Sequence, residues 1–189
     1  MSNLKEEQFL RNVSKHKMTV EFDDGKGNRR LYFGEGTSFY CHFRIVTFAD
    51  YLLFTGDMGT FVFRRLKDMF GFFRGDGINP RYWSEKIEAA DGCDGYMGFD
   101  FEHAMEVLRQ RISDLPDDAK ADIEDDFEYT EQDEWSFFET ARSCKELPQS
   151  YWDDFSDRDI KVFTGRYLWC CRAIVWAISQ YDANAEETK

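Results

Sequence analysis

Near residue 65 the hydrophobic period of this chain changes from two to about 3.6, and that switch constrains the fold more than any other feature. Ahead of it, residues 18–22, 30–33, 39–48, 51–55 and 60–63 are short runs rich in aromatic and β-branched side chains. Between them stand turn-forming stretches: 23–28, Gly34-Glu35-Gly36, Ala49-Asp50 and 56–59. A parallel crossover needs about a dozen residues or more, so strands joined this closely must be antiparallel. The spacing predicts a meander of about five strands over residues 17–64.

After the switch the apolar residues recur at helical spacing. Leu66, Met69, Phe70 and Phe73 predict one helix, stopped by Gly75-Asp76-Gly77. Pro80 suits the first turn of a second, with Tyr82, Trp83 and Ile87 as its stripe. Phe101, Met105, Leu108 and Ile112 predict a third, and residues 117–128 and 130–142 read as two acidic helices before a loop at Pro148. The segment 160–181 is the most apolar, carrying Ile160, Phe163, Tyr167, Cys170, Cys171, Ile174 and Ile178. A helix apolar nearly all round belongs in the core. A short amphipathic helix over 4–15 opens the chain. The expectation is a single α+β domain, 1–189, with the antiparallel sheet packed against C-terminal helices.

Composition sets outer limits. An aromatic content of 17% suits a folded core despite a net charge of −13. Nothing approaches the roughly 18 apolar residues of a membrane span, and residues 1–7 show no apolar leader core, so we expect neither membrane insertion nor secretion. The five cysteines, odd in number and without framework spacing, read as reduced thiols in a cytoplasm. Residues 1–115 carry a net charge of −2 and residues 116–189 a net of −11, which disfavours direct binding to nucleic acid.

The motifs for catalysis and ligation are weak. Residues 91–95 lack the alternating oxygen ligands and distant glutamate of an EF-hand, and read as a turn. His103 and Glu106, beside Glu102, have metal-type helical spacing but no second motif to complete a site. Cys41 and His42 would point to opposite faces of a regular strand, and Cys170 and Cys171 sit in the most apolar segment. No glycine loop matches a phosphate cradle. No catalytic residue, cofactor site or metal ligand is assigned. Asp57, His42 and Arg44 form the group an enzyme of unrecognised type would use.

Residues 117–139 hold eleven acids against one base, Lys120. Like charges at i, i+4 repel, and a merely solubilising surface would be more stable with mixed signs. Asp118, Asp122, Asp125, Asp126, Glu128, Glu131, Asp133 and Glu134 are therefore the candidate partner-binding residues. Interleaved Phe127, Tyr129, Trp135, Phe137 and Phe138 supply either core or anchors.

Four stretches (16–20, 55–63 with 68–73, 78–86 and 168–176) resemble a family of uncharacterised accessory proteins of tailed bacteriophages and prophages. The resemblance keeps their order and leaves out about 100–150. It implies an accessory phage product in the cytoplasm of the bacterial host, and carries over no site residues. By analogy, small acidic phage proteins often inhibit host defence, some by imitating DNA. The leading expectation is a non-enzymatic protein that binds a host protein with a basic surface, such as a defence nuclease or CRISPR effector. The alternatives are a small-ligand sponge with a Tyr- and Trp-lined pocket between sheet and helices, and an unrecognised enzyme. Oligomeric state is left open.

Overall fold

The computed structural model describes residues 2–92, 95–148 and 158–187. The chain divides into two compact units, Met1–Tyr96 with Phe163–Lys189, and Met97–Val162.

In the first unit, six strands follow one another in sequence order as an antiparallel meander. They are β1 (Lys17–Asp23), β2 (Arg29–Gly34), β3 (Phe43–Phe48), β4 (Tyr51–Gly56), β5 (Gly59–Arg64) and β6 (Ile87–Ala90). The tight β3–β4 turn places Ala49 and Asp50 at positive φ, the geometry whose twist matches flanking strands. At Gly56 a Cβ would lie 2.2 Å from the His42 carbonyl oxygen, so only glycine fits there.

Strand pairing puts Leu31 opposite Ile45, Phe33 opposite Phe43, and Phe54 opposite Phe61, all on one fully buried face. Against that face lies the final helix, Gly165–Glu187, through Trp169, Cys170, Ala173, Ile174 and Ala177. Trp176 meets Phe33 edge-on at 5.6 Å, and Trp169 meets Phe43 at 5.8 Å and Phe9 at 5.2 Å. The last helix is thus central, as its apolar circumference predicts. Its rings and those of the sheet pack against one another in the core. The helix α1 (Ser2–Val13) adds Phe9 and Val13 to the same core.

Four local expectations are corrected. Helix α2 covers only Met69–Phe73, because Asp68 caps it by accepting the Phe70 N–H at 3.1 Å; Leu66 lies outside it and is exposed. Helix α3 ends at Ser84, and Ile87 belongs to β6, hydrogen-bonded to β5. Residues 39–42 are not strand: Cys41 adopts φ 52°, and the regular alternation assumed for Cys41 and His42 does not apply. The last helix begins at Gly165, where the Thr164 hydroxyl accepts the Tyr167 N–H at 3.2 Å.

The second unit holds α4 (Phe101–Arg111), α5 (Asp117–Glu128) and α6 (Glu134–Ser143). Its core is Ala104, Met105, Leu108, Ile112, Ile123, Phe127, Phe137, Ala141, Cys144, Leu147 and Ile160. A two-stranded sheet not foreseen from the sequence pairs β7 (Met97–Phe99) with β8 (Lys161–Phe163). Among the described residues, no helix is long and apolar enough to cross a membrane.

Candidate functional site

The division into units sharpens the charge asymmetry. Residues 97–162 contain 20 acidic and 7 basic side chains, a net of −13, whereas the remaining residues contain 17 of each. The entire net charge of the protein resides in one unit.

Within that unit, α5 starts after Pro116 without a side-chain cap. Asp117 and Asp118 in its first turn favour the positive end of the helix dipole, whereas Asp125, Asp126 and Glu128 crowd the negative end without a compensating base. The helix is held instead by burial of Ile123 and Phe127, the latter ring 5.1 Å from Phe137. Helix α6 is capped by Asp133, which accepts the Ser136 N–H at 2.9 Å and the Ser136 hydroxyl at 2.7 Å. Those hydrogen bonds hold the Asp133 carboxyl below its ordinary range.

The candidate acids therefore separate into two groups. Asp133 is a helix cap, and Glu134 is paired to Lys161 at 2.8 Å. Asp118, Asp122, Asp125, Asp126, Glu128 and Glu131 are exposed and have no ion-pair partner among the described residues. Neighbouring acids outside the candidate set are the paired ones: Asp117 with Lys120 at 3.3 Å, Glu124 with Arg109 at 3.2 Å, and Glu139 with Arg142 at 3.1 Å. The aromatics separate too. Phe127 and Phe137 are core and Phe138 is half-buried, whereas Tyr129 is 88% exposed and Trp135 71% exposed. These two large rings stand in water amid the charge.

One feature escaped the sequence reading. Asp126 on α5, Cys144 at the C-cap of α6 and Glu146 just after it bring one ligand-type atom each within 4.8 Å of one another. Burial first, then the neighbouring Asp126, push the Cys144 thiol up to about 11. Residues 18 apart in sequence give no pattern to find, although the Cys-x-Glu pair itself was visible.

Elsewhere, Asp57, His42 and Arg44 are each engaged locally. Asp57 accepts the Cys41 N–H at 2.8 Å, the His42 Nδ1 lies 2.6 Å from the Phe39 carbonyl oxygen, and Arg44 pairs with Glu21 while stacking on Tyr32. His103 is half-buried, and its N–H donates to the α4 cap Asp100 at 2.8 Å. Asp91, in the glycine-flanked loop, accepts from the Thr60 N–H at 2.8 Å and from Arg166 at 3.0 Å; Cys93 and Asp94 lie outside the described residues. Cys170 and Cys171 are buried, and desolvation raises both thiols, Cys171 to about 12. Beside α1 and the last helix a cleft of about 420 Å³ is lined by Phe9, Leu10, Ile78, Arg172 and Trp176. No protein-family model matches this chain, and searches of the curated proteins and of the solved structures return no match to it.

Proposed function

We propose that the protein acts by binding, presenting the exposed acids of residues 97–162 to a basic surface on a host protein. One observation carries this reading: the sheet–helix unit is electrically neutral, while the second unit bears the whole net charge of −13. Solubility alone gives no reason to segregate charge in this way. The α5 helix has a net charge of −6 over 12 residues. At 1.5 Å per residue that is one charge per about 3 Å, close to the roughly 3.4 Å per charge of a single strand of B-form DNA. A protein surface built to grip a phosphate backbone is thus a natural complement. With the phage resemblance, this points to a nucleic-acid-handling defence protein in the cytoplasm of a bacterial host. Tyr129 and Trp135 would add short-range affinity to the electrostatic steering.

The test is capture of host proteins on the purified chain, followed by binding titrations at low and high salt. Asp118, Asp122 and Asp125 changed together to Asn should slow association and flatten the salt dependence. Trp135→Ala should instead speed dissociation. Unchanged affinity and salt dependence in the triple variant would remove this face from the mechanism.

A further inference from the structure

The last helix, α1 and the loop between α2 and α3 line the cleft of about 420 Å³, which falls in the size range of small-molecule sites. Phe9, Leu10, Ile78 and Val175 make its walls apolar. Its polar side comes from the spacing of the last helix, where Arg172 and Trp176 stand at i, i+4 and so share a face. Arg172 is half-buried and gives one N–H to the Leu168 carbonyl oxygen at 3.2 Å. Among the described residues the guanidinium has no ion-pair partner and the Trp176 indole N–H has no acceptor. Glu6 and Asp76 also line the cleft, are exposed, and have no ion-pair partner among the described residues. An apolar cleft is thus bordered by one cation and two carboxylates that do not pair with one another.

We propose that this cleft binds a small zwitterion with an apolar body, the chemistry of a free apolar amino acid. Charge makes the choice. The Arg172 fork suits a planar carboxylate, with the Trp176 indole as a second donor beside it. A simple anion would meet repulsion from Glu6 and Asp76, and a simple cation would meet it from Arg172. A ligand carrying both charges satisfies both sets, its ammonium group toward the acids and its carboxylate toward the guanidinium. Its apolar side chain would lie against Phe9, Ile78 and Val175, where burial supplies affinity without further polar contacts. Every lining residue belongs to the sheet–helix unit, so the site is independent of the acidic face proposed to bind a partner.

L-Phenylalanine and L-leucine are the probes, titrated into the full-length protein by isothermal calorimetry. Hydrocinnamate and phenethylamine, each lacking one of the two charges of phenylalanine, are the comparison ligands. Saturation at one amino acid per chain is expected, with each comparison ligand weaker by about tenfold or more. Arg172→Gln should weaken phenylalanine by about tenfold while leaving phenethylamine unaffected. Glu6→Gln combined with Asp76→Asn should weaken phenylalanine similarly while leaving hydrocinnamate unaffected or tighter. The acid pair is exposed and carries the test if the Arg172 variant fails to fold. No saturable heat with either amino acid, hydrocinnamate bound as tightly as phenylalanine, or affinity unchanged in both variants would overturn the site. So would a dimer, seen by light scattering, that dissociates in Leu10→Glu, because a second copy would then cover the cleft.

Discussion

The Arg29 guanidinium donates to the Asp68 carboxylate at 2.9 Å while lying over the Phe70 ring, 4.5 Å from its centroid. This one contact ties the start of β2 to the cap of α2. Tyr181, on the last helix, also meets the guanidinium, its ring centroid 5.2 Å away and set edge-on to Phe70 at 5.3 Å, and its hydroxyl donates to Asp23. Three elements far apart in sequence are thereby locked around a single charge.

Asp68→Ala removes both the ion partner of Arg29 and the α2 cap. Arg29 is 9% exposed, so its charge would be left without its carboxylate in a mostly buried site. Asp68 itself is half-exposed, which moderates the loss. We expect a destabilisation of about 2–4 kcal/mol by urea denaturation. A loss under about 1 kcal/mol would show that the pair is not holding these elements.

Ile174→Asp places a carboxylate at the middle of the buried face of the last helix, at a position with no exposed surface. The expected loss is about 4 kcal/mol or more, visible as a chain that is unfolded or melts far below the wild type. Melting within a few degrees of the wild type would contradict the placement of the core.

The buried thiols make stability fall in alkali. Cys144 is raised from 9.0 to about 11 and Cys171 from 9.0 to about 12, each chiefly by desolvation. Between the unfolded and folded values the unfolded chain has already released these protons, so unfolding is favoured as pH rises through that window. The contribution is complete below pH 9 and lost by about pH 12. Denaturant midpoints measured across the range should decline, and Cys171→Ala should flatten the decline. An unaltered slope in that variant would refute the assignment.

Changing Asp118, Asp122 and Asp125 to Asn should leave melting unchanged or raise it by about 2 °C or less, since relief of the Asp118–Asp122 and Asp122–Asp126 repulsions at i, i+4 and of Asp125 near the helix C-terminus offsets the loss of Asp118 from the first turn. Differential scanning calorimetry reads this directly. A clear drop would mean that these acids stabilise the fold through contacts not evident from their exposure.

What could be read from the residues follows the range of the interactions. The meander was legible because alternation and turn chemistry are local: Ala49-Asp50 and the 56–59 turn fix pairing without reference to distant sequence. The burial of Ile174 was legible because an apolar circumference has only one place to go. β6 was not, because Ile87 stands at i+4 from Trp83 and satisfies a helical stripe as well as a strand. Its pairing with β5 is a long-range fact. Ile160 misled in the same way, fitting the stripe of the last helix while belonging to the core of the second unit. Among the acids, the Asp133 cap is a local Asp-x-x-Ser contact that the reading of these acids as one partner-binding set passed over. The Lys161 partner of Glu134 lies too far along the chain to be inferred. The charge asymmetry was visible between halves of the chain, but its true boundary is structural: Asp100, Glu102, Glu106 and Asp114 fall in the acidic unit, and Asp182, Glu186 and Glu187 fall outside it.

The chain leaves the sheet–helix unit at Tyr96 and rejoins it where the Thr164 N–H donates to the Tyr96 carbonyl oxygen at 3.1 Å. Residues 97–162 are therefore, topologically, an insertion in a loop whose two ends already touch. Such a segment can be exchanged, shortened or recharged without shifting the register of any sheet strand, provided its ends meet the same gap. Replacing or shortening the 97–162 segment should therefore leave the six-stranded sheet folded.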